Sequence, residues 1–83
     1  MLKDKVLVNL YVLKLDQKYE IYLPVNEKVG NVVFLLEKNL FEAETGVPTK
    51  NSILFNLSTG SLYNYDTILR DTDVENQTNL LLI

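Results

Sequence analysis

The sequence predicts an α+β roll: one helix covers one face of a mixed sheet, with elements in the order ββαββ, loop, β. Three observations carry this. Two early segments rich in Val, Leu, Ile and Tyr alternate at the period of a strand. Val29, Val32, Val33, Leu36 and Leu40 recur at helical spacing and make one narrow stripe, enough to cover a single sheet face. The chain closes on Leu80-Leu81-Leu82-Ile83, four apolar residues that water solvates poorly and that belong in the middle of a sheet. With 83 residues the chain is one domain, residues 1–83, with room for one modest core.

Residues 5–13 form the first strand. Lys5 and Asn9 mark the outward positions, so Val6, Val8, Leu10 and Val12 face the core. The polar residues 14–18 are short enough for a hairpin connection. Residues 19–25 form the second strand, with Tyr19, Ile21, Leu23 and Val25 inward and Glu20 and Tyr22 outward. Pro24 lacks an N–H, which places this strand at an edge. Asn26 or Lys28 marks the helix start. Phe34, Leu35 and Phe41 lie off the helix stripe and are expected at its margins.

Gly46 is the expected helix stop in a loop spanning residues 42–52 that also holds Pro48. Ile53-Leu54-Phe55-Asn56-Leu57 reads as a third strand. Ile53, Phe55 and Leu57 are expected to face in, and Leu54 and Asn56 to face out. A turn at residues 58–61 leads to a short fourth strand, Leu62-Tyr63. Leu69 and Val74 anchor the polar stretch that follows. In the last strand Leu80 and Leu82 point to the helix, and Leu81 and Ile83 to the opposite face.

Composition excludes several functions. The chain has 47% apolar and 23% charged residues, the balance of a folded protein. A net charge of −3 with eight scattered basic residues argues against nucleic acid or an anionic membrane surface as partner. No cysteine and no histidine occur, which removes thiolate chemistry, the commonest general base and the commonest metal ligand. The longest apolar run, residues 32–36, is far too short to span or insert into a bilayer. No secretory signal is recognisable, since Asn9 breaks the early apolar run and Lys14, Asp16 and Lys18 follow it. The protein is therefore expected in the cytoplasm, and the glycosylation-like triplets at Asn56 and Asn76 are read as chance.

The three glycines stand apart, so no phosphate-cradling loop is present and no cofactor is expected. Asp71, Asp73 and Glu75 alternate, but the sharp-turn glycine and full oxygen set of a calcium loop are missing, and a solvated turn accounts for them. No Ser or Lys has a base at a recognisable spacing, so no catalytic residue is assigned and an enzyme is not expected. What remains is surface. The outward positions Leu7, Tyr11, Tyr22, Leu54, Leu81 and Ile83 either gather on the uncovered sheet face as a protein-binding patch or lie scattered beneath long side chains such as Lys5 and Lys18.

Ile53-Leu54-Phe55, a turn, a short strand, Thr67-Ile68-Leu69-Arg70-Asp71, Val74 and Leu80-Leu81-Leu82-Ile83 together resemble the second half of ubiquitin. Val29-Gly30-Asn31-Val32 resembles the start of its helix. The pattern covers residues 6–83 and implies the ubiquitin-like β-grasp roll, with the first and last strands parallel and central. The resemblance maps the ubiquitin-type recognition patch onto Leu54 and Ile83 with Leu81 between them, Leu54 standing at the position of the central isoleucine. The ending at Ile83, with no diglycine, and a different lysine pattern separate the chain from conjugated modifiers. Size, acidic balance, the Leu23-Pro24 step and the Leu-rich last strand look most like the small YukD/EsaB-type proteins of bacterial type VII (WXG-type) secretion. That resemblance implies a protein partner in the secretion machinery. A sulfur-carrier or modifier-like protein, and a module that weakly self-associates as a homo-oligomer, remain the alternatives.

Overall fold

The computed structural model describes residues 4–48 and 51–83. Strands β1 (Lys5–Val12) and β2 (Gln17–Pro24) form an antiparallel hairpin, Val6 opposite Leu23 and Leu10 opposite Tyr19. Their connection is a single 3-10 turn, Leu13–Leu15, released by Asp16 in the left-handed region at φ 49°. Helix α1 (Val29–Leu36) follows. Strands β3 (Leu54–Asn56) and β4 (Thr78–Leu82) complete a four-stranded sheet in the order β2-β1-β4-β3. β4 lies parallel to β1 and antiparallel to β3. The first and last strands are thus parallel and central, as the ubiquitin resemblance implies, and β2 is an edge, as Pro24 predicts.

The core is built from one face of each element. Val6, Val8, Leu10 and Val12 of β1, Leu80 and Leu82 of β4, and Val29, Val32, Val33 and Leu36 of α1 are all buried, with Leu69 supplied by the long connection. Half-buried Tyr19, Ile21, Val25, Leu40 and Val74 pack against them. Buried alternation on β1 and β4 is what a strand needs when one face is core and the other is open.

The helix starts at one of its two expected boundary residues and stops at the expected glycine, but it occupies part of the stretch expected as loop. Lys28 is its boundary residue and no side chain caps it. The exposed N–H groups of the first turn are satisfied instead by the backbone of the long connection: Val29 donates to the Thr67 carbonyl at 2.9 Å and Gly30 to that of Tyr65 at 3.0 Å. Gly30 permits this approach, since a Cβ there would stand 3.2 Å from both Cβ and O of Tyr65. Asn26, the other candidate, bonds Asp4 through its side chain. At the far end the helix runs on through a π turn, Glu37–Glu42, and a last turn, Ala43–Thr45, before Gly46 stops it at φ 72°. The loop expected over residues 42–52 therefore begins later, and its residues 49–50 lie outside the described residues. Of the residues expected at the margins of the stripe, Phe41 is half-buried, Leu35 is 42% exposed, and Phe34 stands furthest out at 57%. The Lys38 ammonium lies 5.9 Å from the Phe34 ring centroid.

Two further expectations are corrected. The fourth strand at residues 62–63 is reduced to one bridge, Leu62 opposite Phe55. The third strand is inverted. Leu54 and Asn56 are buried at 0% and 1%, while Ile53 and Leu57 are 47% and 50% exposed. The cause is register and turn chemistry together. Leu54 lies opposite Leu82 and Asn56 opposite Leu80, both core residues of β4, and directly opposed residues share a face. Asn56 enters the interior because all its polar atoms are answered there. Its Oδ1 accepts from the N–H groups of Ser58 (2.8 Å) and Thr59 (3.2 Å), and its Nδ2 donates to Asp73 (3.2 Å).

Candidate protein-interaction surface

The open face of the sheet is organised in rows by strand register. One row runs Lys18, Tyr11, Leu81, Phe55 and Leu62, linking β2, β1, β4, β3 and the bridge residue. Beside it Ile53 and Ile83 exchange both backbone hydrogen bonds, at 3.1 and 2.9 Å, so their side chains share a face. Leu57 lies on the other side of the row, its N–H bonded to the Asn79 carbonyl at 2.9 Å. Ile83 is 42% and Leu62 67% exposed, and Tyr11, Phe55 and Leu81 are half-buried between them. The Tyr11 hydroxyl donates to Asp16 Oδ1 at 2.5 Å, and that hydrogen bond, first among the causes, raises its pKa.

The predicted site residues therefore divide. Tyr11, Leu81 and Ile83 come together on one apolar half of the face. Leu7 and Tyr22 also face outward, opposite one another, but a polar row of Glu20, Asn9 and Asn79 separates them from the patch. Leu54 is not part of any surface: it is fully buried beneath the patch, so the ubiquitin-type mapping fails at that residue. Sequence reasoning missed Ile53, Phe55, Leu57 and Leu62. The signal was Asn56-Leu57-Ser58-Thr59-Gly60, in which an Asn opening a tight turn can bond the backbone two residues on and so be buried. A shallow groove of about 730 Å³ crosses the face where the polar row meets the patch, between Tyr11, Lys18 and Leu57.

Behind β3 lies a carboxylate with a structural task. Asp73 accepts from Asn56 Nδ2, Thr59 Oγ1 (2.7 Å), Ser61 Oγ (2.8 Å) and Tyr63 OH (2.5 Å). It is the centre of a hydrogen-bonded cluster on the exposed turn that the sequence predicts. These donors, Tyr63 foremost, hold its carboxyl down at about 2, and burial pushes the Tyr63 phenol well above its usual range. The cluster fixes the turn that carries Leu57 and Leu62. Among the described residues no group of three or more Asp and Glu is placed to hold a metal ion, and no helix is long and apolar enough to cross a membrane.

No protein-family model and no curated protein matches the sequence. Solved structures do match the fold. The N-terminal ubiquitin-like domain of the 4931431F19Rik protein superposes with a TM-score of 0.71 at 16% identity, over 96% of this chain and 74% of that one. A protein designed on ubiquitin gives 0.66 at 15% identity, over 98% and 89%. A chain of the ESX-5 inner membrane complex gives 0.73 at 19% identity, over 96% of this chain and 21% of that one. This chain thus spans about a fifth of that larger protein.

Proposed function

We propose that this domain, with its ubiquitin-like β-grasp fold of one helix on a mixed four-stranded sheet, is a cytoplasmic, non-catalytic protein-interaction module, acting as an accessory or regulatory component of a type VII secretion system and binding its partner through the apolar half of the open sheet face. The observation that carries the binding reading is the row Tyr11-Leu81-Phe55-Leu62, flanked by Ile53 and Ile83 and left half-open to water. Exposed apolar residues that adjoin one another on a rigid sheet are what a desolvated interface centre requires. The secretion reading draws support from the likeness to part of an ESX-5 inner membrane complex. The lack of histidine and cysteine supports a role by contact rather than by chemistry.

The test is binding of purified cytoplasmic segments of the type VII machinery, followed by titration calorimetry. Leu62→Asp places a carboxylate at the most exposed point of the patch, where it leaves the core untouched. A folded Leu62→Asp variant is expected to lose about tenfold or more in affinity, since truncating or charging an interface centre costs more than about 1–2 kcal/mol. Unchanged binding by the folded variant removes the sheet face from the reading. Absence of binding by the wild type to every segment removes the secretion role.

A further inference from the structure

From the β2 edge we infer that the domain pairs with a second copy of itself, β2 against β2 across a twofold axis at Tyr19, extending two sheets into one of eight strands. β2 is the outer strand of the sheet, eight residues long and continuously paired on its inner side alone. The direction of its backbone groups follows from one hydrogen bond. Val25 donates to the Asp4 carbonyl at 3.1 Å, so that pair is of the hydrogen-bonded kind. Counting along the register, Gln17, Tyr19, Ile21 and Leu23 turn their N–H and C=O toward β1. Lys18, Glu20 and Tyr22 turn theirs away from the sheet, toward any strand added at this edge.

A twofold axis at Tyr19 sets Lys18 opposite Glu20 of the second copy, and Glu20 opposite Lys18. Each of these pairs exchanges two backbone hydrogen bonds, and each brings opposite charges together on the outer face. Tyr19 meets Tyr19 at a narrow, non-hydrogen-bonded site, where opposed side chains stand closest and aromatic rings pack well. The neighbouring registers are disfavoured by the same strand. An axis at Glu20 sets carboxylate against carboxylate, and one at Lys18 sets ammonium against ammonium. An axis at Ile21 sets Lys18 opposite Pro24, which has no N–H to donate. Hydrogen-bond direction and charge order, two independent properties, thus select one register.

Sedimentation equilibrium from micromolar to millimolar concentration tests this, with far-UV circular dichroism as the folding control; both side chains are exposed, so the variants fold. The wild type is expected to form a reversible dimer. Lys18→Glu and Glu20→Lys each turn two attractive pairs repulsive and weaken it by about tenfold. The double variant Lys18→Glu/Glu20→Lys restores it, and an equimolar mixture of the two single variants forms a heterodimer as tight as the wild-type dimer. Leu62→Asp, on the other half of the sheet, leaves it unchanged. A wild type monomeric at millimolar concentration, or a dimer indifferent to both single reversals, overturns the inference.

Discussion

Leu54→Ala is expected to lower the free energy of unfolding by about 3–4 kcal/mol, read as the shift of a urea midpoint at constant slope. Leu54 is 0% exposed and lies opposite Leu82 within the core cluster. Removing its isobutyl group forfeits the transfer free energy and leaves a cavity in the core beside Leu82 of β4. β3 has only three residues, so Leu54 is the one apolar side chain by which it enters the core. A domain of this size has about 5–10 kcal/mol of stability in all, so the variant sits near its unfolding threshold. Leu57→Ala, one turn of the alternation away on the open face, is expected to change stability by no more than about 0.5 kcal/mol. The contrast decides the facing of the strand. A tolerant Leu54 beside a costly Leu57 would mean that Ile53, Phe55 and Leu57 are the core residues.

The second large effect belongs to the cluster around Asp73. Asn56→Ala is expected to cost about 2–3 kcal/mol, because the N–H groups of Ser58 and Thr59 lose their acceptor and a cavity opens beside Leu80. Asp73→Ala is expected to cost less, about 1–2 kcal/mol, since Asp73 itself is exposed and water replaces part of what it accepts. Its signature is the dependence on pH. The folded state holds the Asp73 carboxyl at about 2, below its ordinary 3.8. A depressed carboxyl adds stability above the ordinary value and loses it as pH falls through the folded one. The difference between wild type and Asp73→Ala is therefore flat above pH ~5 and shrinks between pH ~4 and ~2. A difference that stays constant down to pH ~2 would show that the hydroxyls do not hold the charged form.

Much of the architecture is legible in the residues themselves. Lys5 and Asn9 mark the open face of β1, Val29 to Leu36 carry a clean helical stripe, and Leu80 and Leu82 alternate with outward neighbours. In each case one face is polar or solvent-tolerant and the other is not, so periodicity has a single solution. The helix end at Gly46 is legible for a different reason, the left-handed φ of 72° that glycine adopts without strain. The π turn that carries the helix beyond Leu36 leaves no such mark. The helix start is legible only as a choice between Asn26 and Lys28, because no side chain caps it and its N–H groups are satisfied by carbonyls of Tyr65 and Thr67, far away in the chain.

The candidate surface was only half legible, and the third strand is the reason. Ile53, Leu54, Phe55 and Leu57 are all apolar, so either face could be core, and a shift of one residue exchanges the two. Asn56 alone breaks the tie in the sequence, and it breaks it the wrong way. Its polarity points to solvent until the turn at residues 58–61 and the Asp73 carboxylate are in place to receive it. The amino-acid sequence by itself determined one helix, a mixed sheet and a central final strand, because those follow from local periodicity and the need to bury Leu80 and Leu82. Only the tertiary structure decided which side chains of β3 meet water. That choice rests on hydrogen bonds between residues 56 and 73 and on the register against β4, contacts that exist only after the chain has folded.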